Sequence, residues 1–105
     1  MKWFVIVASV CLTSSYSWAL SFRTVIKNHR FDPSQIKVPA GQTFELEVYN
    51  SDNTAEEFES YDLNKEQIVG PKKTIKIKIS GLEKGSYEFF GEFNESTATG
   101  EIIAE

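Results

Sequence analysis

The chain has 105 residues and a formal net charge of −4, enough for one small domain and not two. Its 15 Asp and Glu outnumber 11 Lys and Arg, an acidic balance that argues against a nucleic-acid ligand, which needs clustered cations. Aromatic residues at 13% supply a core and argue against global disorder, no apolar run reaches the ~18 residues of a membrane span, and one Cys, one His and one Met exclude a disulfide framework or a Cys-rich zinc site.

The first segment reads as an address. Met1-Lys2 is a short positive start, Trp3 to Leu12 is an apolar stretch of signal-peptide length, and Ser17-Trp18-Ala19 places small residues at the two positions a signal peptidase reads. Cleavage is expected after Ala19, leaving residues 20–105 as the mature domain, and export to a Gram-negative periplasm is the expected destination. Lipidation at Cys11 is disfavoured, because Ser9-Val10 lacks the small residue required directly before a lipidated Cys. Cys11 and Met1 leave with the signal, so the mature chain carries neither Cys nor Met, and His29 is its single imidazole.

From residue 20 onward the apolar pattern has a period of two, the signature of half-buried strands. Thr24-Val25-Ile26 opens a strand ended by Asn28, and Ile36 and Val38 flank Lys37 before the Pro39-Ala40-Gly41 turn. Phe44, Leu46 and Val48 alternate with Glu45 and Glu47, and Asn50-Ser51-Asp52-Asn53 is a turn cluster in which Asn50 is expected to bond its own backbone. Phe58 sits in a short strand between Glu57 and Glu59. Tyr61 to Val69 fits either a helical turn or an irregular strand. Ile75, Ile77 and Ile79 face inward between Lys76 and Lys78, and lysines at such positions protect an edge strand from pairing with another chain. Tyr87, Phe89, Phe90 and Phe93 are expected in the core, with one of the adjacent Phe89 and Phe90 turned outward, and Gly100 to Ala104 closes the chain. About seven or eight short strands separated by turn clusters predict an all-β Greek-key sandwich.

Three stretches together resemble one family. Phe31-Asp32-Pro33-Ser34-Gln35-Ile36-Lys37-Val38-Pro39-Ala40-Gly41 resembles the cupredoxin entry pattern. Val48-Tyr49-Asn50 leads through a polar loop to Glu56-Glu57-Phe58-Glu59-Ser60. Gly85-Ser86-Tyr87-Glu88-Phe89-Phe90-Gly91-Glu92-Phe93 resembles the Gly-x-Tyr-x-Phe strand that delivers ligands to a cupredoxin copper site. The wording of the second and third stretches is similar to EfeO-type cupredoxin-like proteins, small periplasmic proteins associated with high-affinity iron permeases. The resemblance implies a cupredoxin-like Greek-key β-sandwich and an accessory role in metal handling.

A type 1 copper centre needs two imidazoles, a thiolate and a weak axial thioether. Laid on the family pattern, the usual Cys falls on Gly91, the second His on Asn94, the Met on Ala98, and the first His near Glu56 or Glu57; a one-residue slip exchanges the faces of those two acids. With no thiol in the mature chain a type 1 site cannot form. Oxygen chemistry remains, and the resemblance points to Glu57 and Glu92 as metal ligands, with Glu59 and His29 as lesser candidates, for a hard or borderline ion such as iron, copper or manganese. The expected partners are the ion itself and an iron permease or another periplasmic uptake component.

Other readings stand beside this one. The glutamates can be a solvated acidic strand face, His29 a surface turn residue, and the fold a metal-free protein-interaction module or a Ca(II)-stabilised structural domain. An enzyme is not expected: no phosphate-binding loop appears, one His supports no catalytic triad, and at most the chain assists a metal oxidation.

Overall fold

The computed structural model describes residues 20–105; the expected signal segment, its cleavage site after Ala19 and Cys11 lie outside the described residues. Nine strands follow in chain order: β1 Leu20–Lys27, β2 Arg30–Asp32, β3 Gln35–Val38, β4 Phe44–Asn50, β5 Glu56–Ser60, β6 Lys65–Val69, β7 Thr74–Ile79, β8 Gly85–Gly91 and β9 Thr99–Ala104. A single 3₁₀ turn, Glu92–Asn94, interrupts them, and no helix among the described residues is long and apolar enough to cross a membrane. The strand total exceeds the sequence expectation because the three-residue β2 is too short to show a period and because Tyr61 to Val69 resolves into a turn followed by β6.

The strands form two sheets, one in the order β2-β1-β4-β7 and the other β3-β9-β8-β5-β6. Two pairs, β1 with β4 and β3 with β9, run parallel, and the other pairs run antiparallel. Alternation decides which face is buried. In β4 the residues Phe44, Leu46, Val48 and Asn50 point into the sandwich, and Phe44, Leu46 and Val48 stand opposite Ile79, Ile77 and Ile75 of β7. The centre is an aromatic trio, one ring from each of β2, β5 and β8. Phe31 meets Phe89 edge-on at 4.9 Å, and Phe58 stacks on Phe89 at 5.1 Å. β7 is an edge strand, as its outward lysines predict, and Lys76 and Lys78 stand opposite Glu47 and Glu45.

Asn50 does more than close a turn. Fully buried, it donates from Nδ2 to the carbonyls of Thr54 (2.9 Å) and Val69 (3.2 Å) and accepts the Asp52 amide at Oδ1 (3.0 Å), tying the β4–β5 loop to β6. Asn50→Ala leaves the buried Val69 carbonyl, the Thr54 carbonyl and the Asp52 amide short of a partner, and a loss of about 2 kcal/mol in urea unfolding is expected. An unchanged midpoint would show that water replaces all three bonds.

Candidate metal site

Glu56, Gly91, Asn94 and Ala98, the positions on which the resemblance sets a type 1 ligand set, lie together, and none of them offers a thiolate, imidazole or thioether. Burial alternates along β5, so Glu56, Phe58 and Ser60 face inward while Glu57 and Glu59 face out. Of the two acids that the family pattern sets near the first ligand, Glu56 is thus the inward one, and only 1% of it is exposed. Its Oε1 accepts the backbone amides of Glu57 (2.9 Å) and Phe93 (2.8 Å), and its Oε2 accepts Asn94 Nδ2 (2.8 Å). A burial this deep is tolerated because the carboxyl oxygens are supplied with donors. Gly91 makes the room. A Cβ there would lie 2.5 Å from Glu56 Cδ and 2.8 Å from the Ala98 Cβ. A type 1 copper centre does not fit: thiolate, imidazole and thioether are missing, and the Glu56 side chain fills the space beside Gly91.

The outward carboxylates form a separate group on the outer face of the five-stranded sheet. Glu57, Glu59 and Glu66 each offer an oxygen, and these oxygens lie within 4.8 Å of one another. Register explains the meeting: Glu59 stands directly opposite Glu66, and Glu57 opposite Ile68. Across the other neighbour, β8, Glu59 stands opposite Phe90, on which Tyr61 packs at 5.4 Å. Partial burial raises the Glu59 pKa, and a hydrogen bond shared with Glu92 and the charges of Glu66, Glu92 and Glu57 raise it further, to about 7. The Glu57 carboxyl is also pushed up, first by partial burial, then by a hydrogen bond with Glu66 and by the charges of Glu66, Glu92 and Glu56.

Like charges directly opposite one another are unfavourable in a sheet, and this face has two such pairs, Glu59–Glu66 and Glu88–Glu101. The second is relieved in place: Ser86 Oγ and Gln35 Nε2 donate to Glu101 (2.6 and 3.0 Å) and hold its carboxyl below the usual range. The first has no such donors. Among the described residues the Lys or Arg ion pair is elsewhere, Arg23 with Glu47 at 2.9 Å, and the imidazole of His29 lies at 3.6 Å from Asp52, also away from this cluster.

Of the four residues singled out from the sequence, Glu57 and Glu59 come together and Glu92 approaches them from the 3₁₀ turn. His29 stands apart, at the tip of the β1–β2 hairpin, where its amide and that of Asn28 donate to the Asp52 carboxylate. Glu66 was not among them. Its signal was the spacing itself: a hairpin turning through Tyr61 to Asn64 sets Glu66 opposite Glu59, and that hairpin is hidden when Tyr61 to Val69 can equally be read as a helical turn. Two aromatic expectations change as well. Phe93 is 52% exposed and not in the core, because it lies in the 3₁₀ turn beyond the end of β8. Phe90 is the outward one of Phe89 and Phe90, and Tyr61 packs on it at the sheet's outer face.

Residues 3–104 match the family described as the cupredoxin-like domain. The chain belongs to that family. An uncharacterized protein of Rickettsia prowazekii (strain Madrid E) is 44% identical over 84 residues, which cover 80% of this chain and 67% of that one. Among solved structures, auracyanin A, a blue copper protein of Chloroflexus aurantiacus, superposes with a TM-score of 0.71 at 11% identity, covering 83% of this chain and 99% of the other. The metal-binding domain of the Streptococcus pneumoniae Cu(I)-exporting ATPase CopA gives 0.69 at 16% identity, with coverages of 81% and 84%. Amicyanin from Paracoccus versutus gives 0.61 at 14% identity, with coverages of 85% and 83%. At these identities the structures support the cupredoxin sandwich and nothing finer about this chain.

Proposed function

We propose that this cupredoxin-like protein is an exported metal-binding accessory of the EfeO type, working in iron uptake, or copper uptake, beside a membrane permease. The ion is held by carboxylates on the outer sheet face and not at the old copper position. The observation that carries the reading is the trio Glu57, Glu59 and Glu66, with oxygens within 4.8 Å of one another and no cationic neighbour in an ion pair among the described residues. An all-oxygen site favours hard cations, Fe(III) and Mn(II) ahead of Cu(II), and Ca(II) for a purely structural role. An exposed site of this kind captures weakly and releases readily, which suits hand-over to a permease. Export to the periplasm rests on the Met1–Ala19 pattern.

Calorimetric titration of the protein with Mn(II), Cu(II), Ca(II) and chelate-buffered Fe(III) tests this. Binding of one ion, weakened at least about tenfold by Glu59→Gln and by Glu66→Gln, is the expected result, since each substitution removes a charged ligand. No heat with any of the four ions would sink the metal reading. The second reading, a metal-free interaction module, would then stand on its own observation. Tyr61 and Ile68, 76% and 52% exposed, flank the same carboxylates and give a partner apolar area to cover.

A further inference from the structure

We infer that the Glu56 carboxylate is the hub on which the Gly91–Ala98 loop folds, and that through this hub it positions Glu57 and Glu92 on the outer face. Gly91, Asn94 and Ala98 lie in that loop and Glu56 lies in β5, so the Glu56 side chain ties loop to strand.

The geometry is that of a hub. One oxygen, Oε1, receives amides from two separate segments, Glu57 N at 2.9 Å and Phe93 N at 2.8 Å. The Glu57 amide belongs to the residue whose side chain reaches the outer cluster. The Phe93 amide belongs to the peptide that joins Glu92 to Phe93. One buried oxygen thus sits between the backbones of the two acids. Oε2 holds the Asn94 side chain at 2.8 Å. Asn94 O in turn accepts the amides of Ala98 (2.8 Å) and Thr97 (3.1 Å), and Gly91 N donates to Ala98 O (2.8 Å), so the loop closes around Glu56. Thr97 Oγ1 fastens the far side to His29 O at 2.6 Å. The small residues at 91 and 98 are what admit the carboxylate, since even a methyl group at Gly91 would overlap it. The consequence for cation binding rests on the reading under Proposed function; the folding of the loop does not.

Hydrogen exchange at the Phe93 amide and Mn(II) affinity are to be compared in the wild type, Glu56→Met and Glu56→Gln. Methionine keeps the volume and removes both acceptors. Glutamine keeps an oxygen for the two amides and turns its NH₂ toward Asn94, whose amide can rotate to accept it. The expected result is that Glu56→Met speeds exchange at Phe93 about tenfold or more while Glu56→Gln stays within about threefold. Mn(II) affinity should follow the same order, about tenfold weaker in the methionine variant and nearly unchanged in the glutamine variant. Unchanged exchange at Phe93 in Glu56→Met overturns the hub. Faster exchange with unchanged Mn(II) affinity overturns the positioning of Glu57 and Glu92. If the wild type binds none of Mn(II), Cu(II), Ca(II) and Fe(III), the cation reading fails and the exchange data alone decide the hub. Should Glu56→Met not fold, Asn94→Ala takes its place: about threefold faster exchange at Phe93 supports the hub, and no change overturns it.

Discussion

Gly91→Ala lowers the stability of the protein by about 3 kcal/mol, a fall in Tm of roughly 15 °C for a domain of this size. The added methyl group would have to occupy space 2.5 Å from Glu56 Cδ, 2.6 Å from Glu56 Oε2 and 2.8 Å from the Ala98 Cβ. Neither side can yield cheaply. Glu56 is pinned by three hydrogen bonds, and Ala98 is fully buried with its amide bonded to Asn94 O. Glu56→Ala alone costs a similar amount, about 3 kcal/mol, because it leaves the Phe93 and Glu57 amides and Asn94 Nδ2 without their acceptors and opens a cavity. The two substitutions relieve each other, so the double variant loses less than the two single losses together, by about 1 kcal/mol or more. Urea unfolding of the four proteins gives the cycle. Additive losses would show that the loop at Gly91 shifts without pressing on Glu56. The same coupling says why a thiol cannot simply be returned to position 91: a Cys there requires Glu56 to be shortened in the same step.

The outer cluster makes the protein more stable in acid than in base over the range it controls. In the unfolded chain Glu59 ionises near 4.5, and in the folded protein near 7. Between those values the folded state holds a proton that the unfolded state has lost, so stability declines as pH rises through the window and the loss is complete above about 7. Glu57, shifted in the same direction, adds to the decline. Urea midpoints at pH 5 and pH 8 measure it, with Glu59→Gln as reference. The wild type loses more between the two than the variant, which carries no charge at that position. A variant as pH-sensitive as the wild type would remove Glu59 as the origin. A bound cation reverses the effect, since it requires the ionised carboxylates and offsets their repulsion. At pH 8 and a hundredfold excess over Kd, Mn(II) raises Tm by more than about 10 °C. At pH 5 the same addition does much less, because protons compete for the ligands. Equal shifts at both values would place the ion away from Glu57 and Glu59.

Much of the molecule was legible before any coordinates. The alternation in Phe44 to Val48 and in Ile75 to Ile79 names strand, face and partner type together, because a period of two has one structural meaning when both sides differ in polarity. That the described domain lacks a type 1 copper ligand set was legible as well. Such a set needs particular atoms, and residues 20–105 hold neither Cys nor Met and a single His, at position 29.

The site was legible only in part, and the reason is pairing. Glu56 and Glu57 are adjacent and chemically identical, so nothing local says which one enters the core. That is decided by the register of β5 against β6 and β8, which sets Glu56 beside Val69 and Phe58 beside Gly91. Glu66 joins Glu57 and Glu59 through the same β5–β6 pairing, and Glu92 arrives because Glu56 holds the Phe93 amide. His29, equally polar and a possible ligand on the sequence, is carried to another corner by the β1–β2 hairpin and the Asp52 carboxylate. The sequence by itself determined a cupredoxin sandwich and a described domain without the thiol and thioether of a type 1 copper site, since both follow from residue type and local period. Which acid became the buried hub and which ones gathered outside was decided by the tertiary structure, because strand register sets Glu66 beside Glu59, seven positions away, and the Gly91–Ala98 loop brings Asn94 to Glu56, 38 positions away.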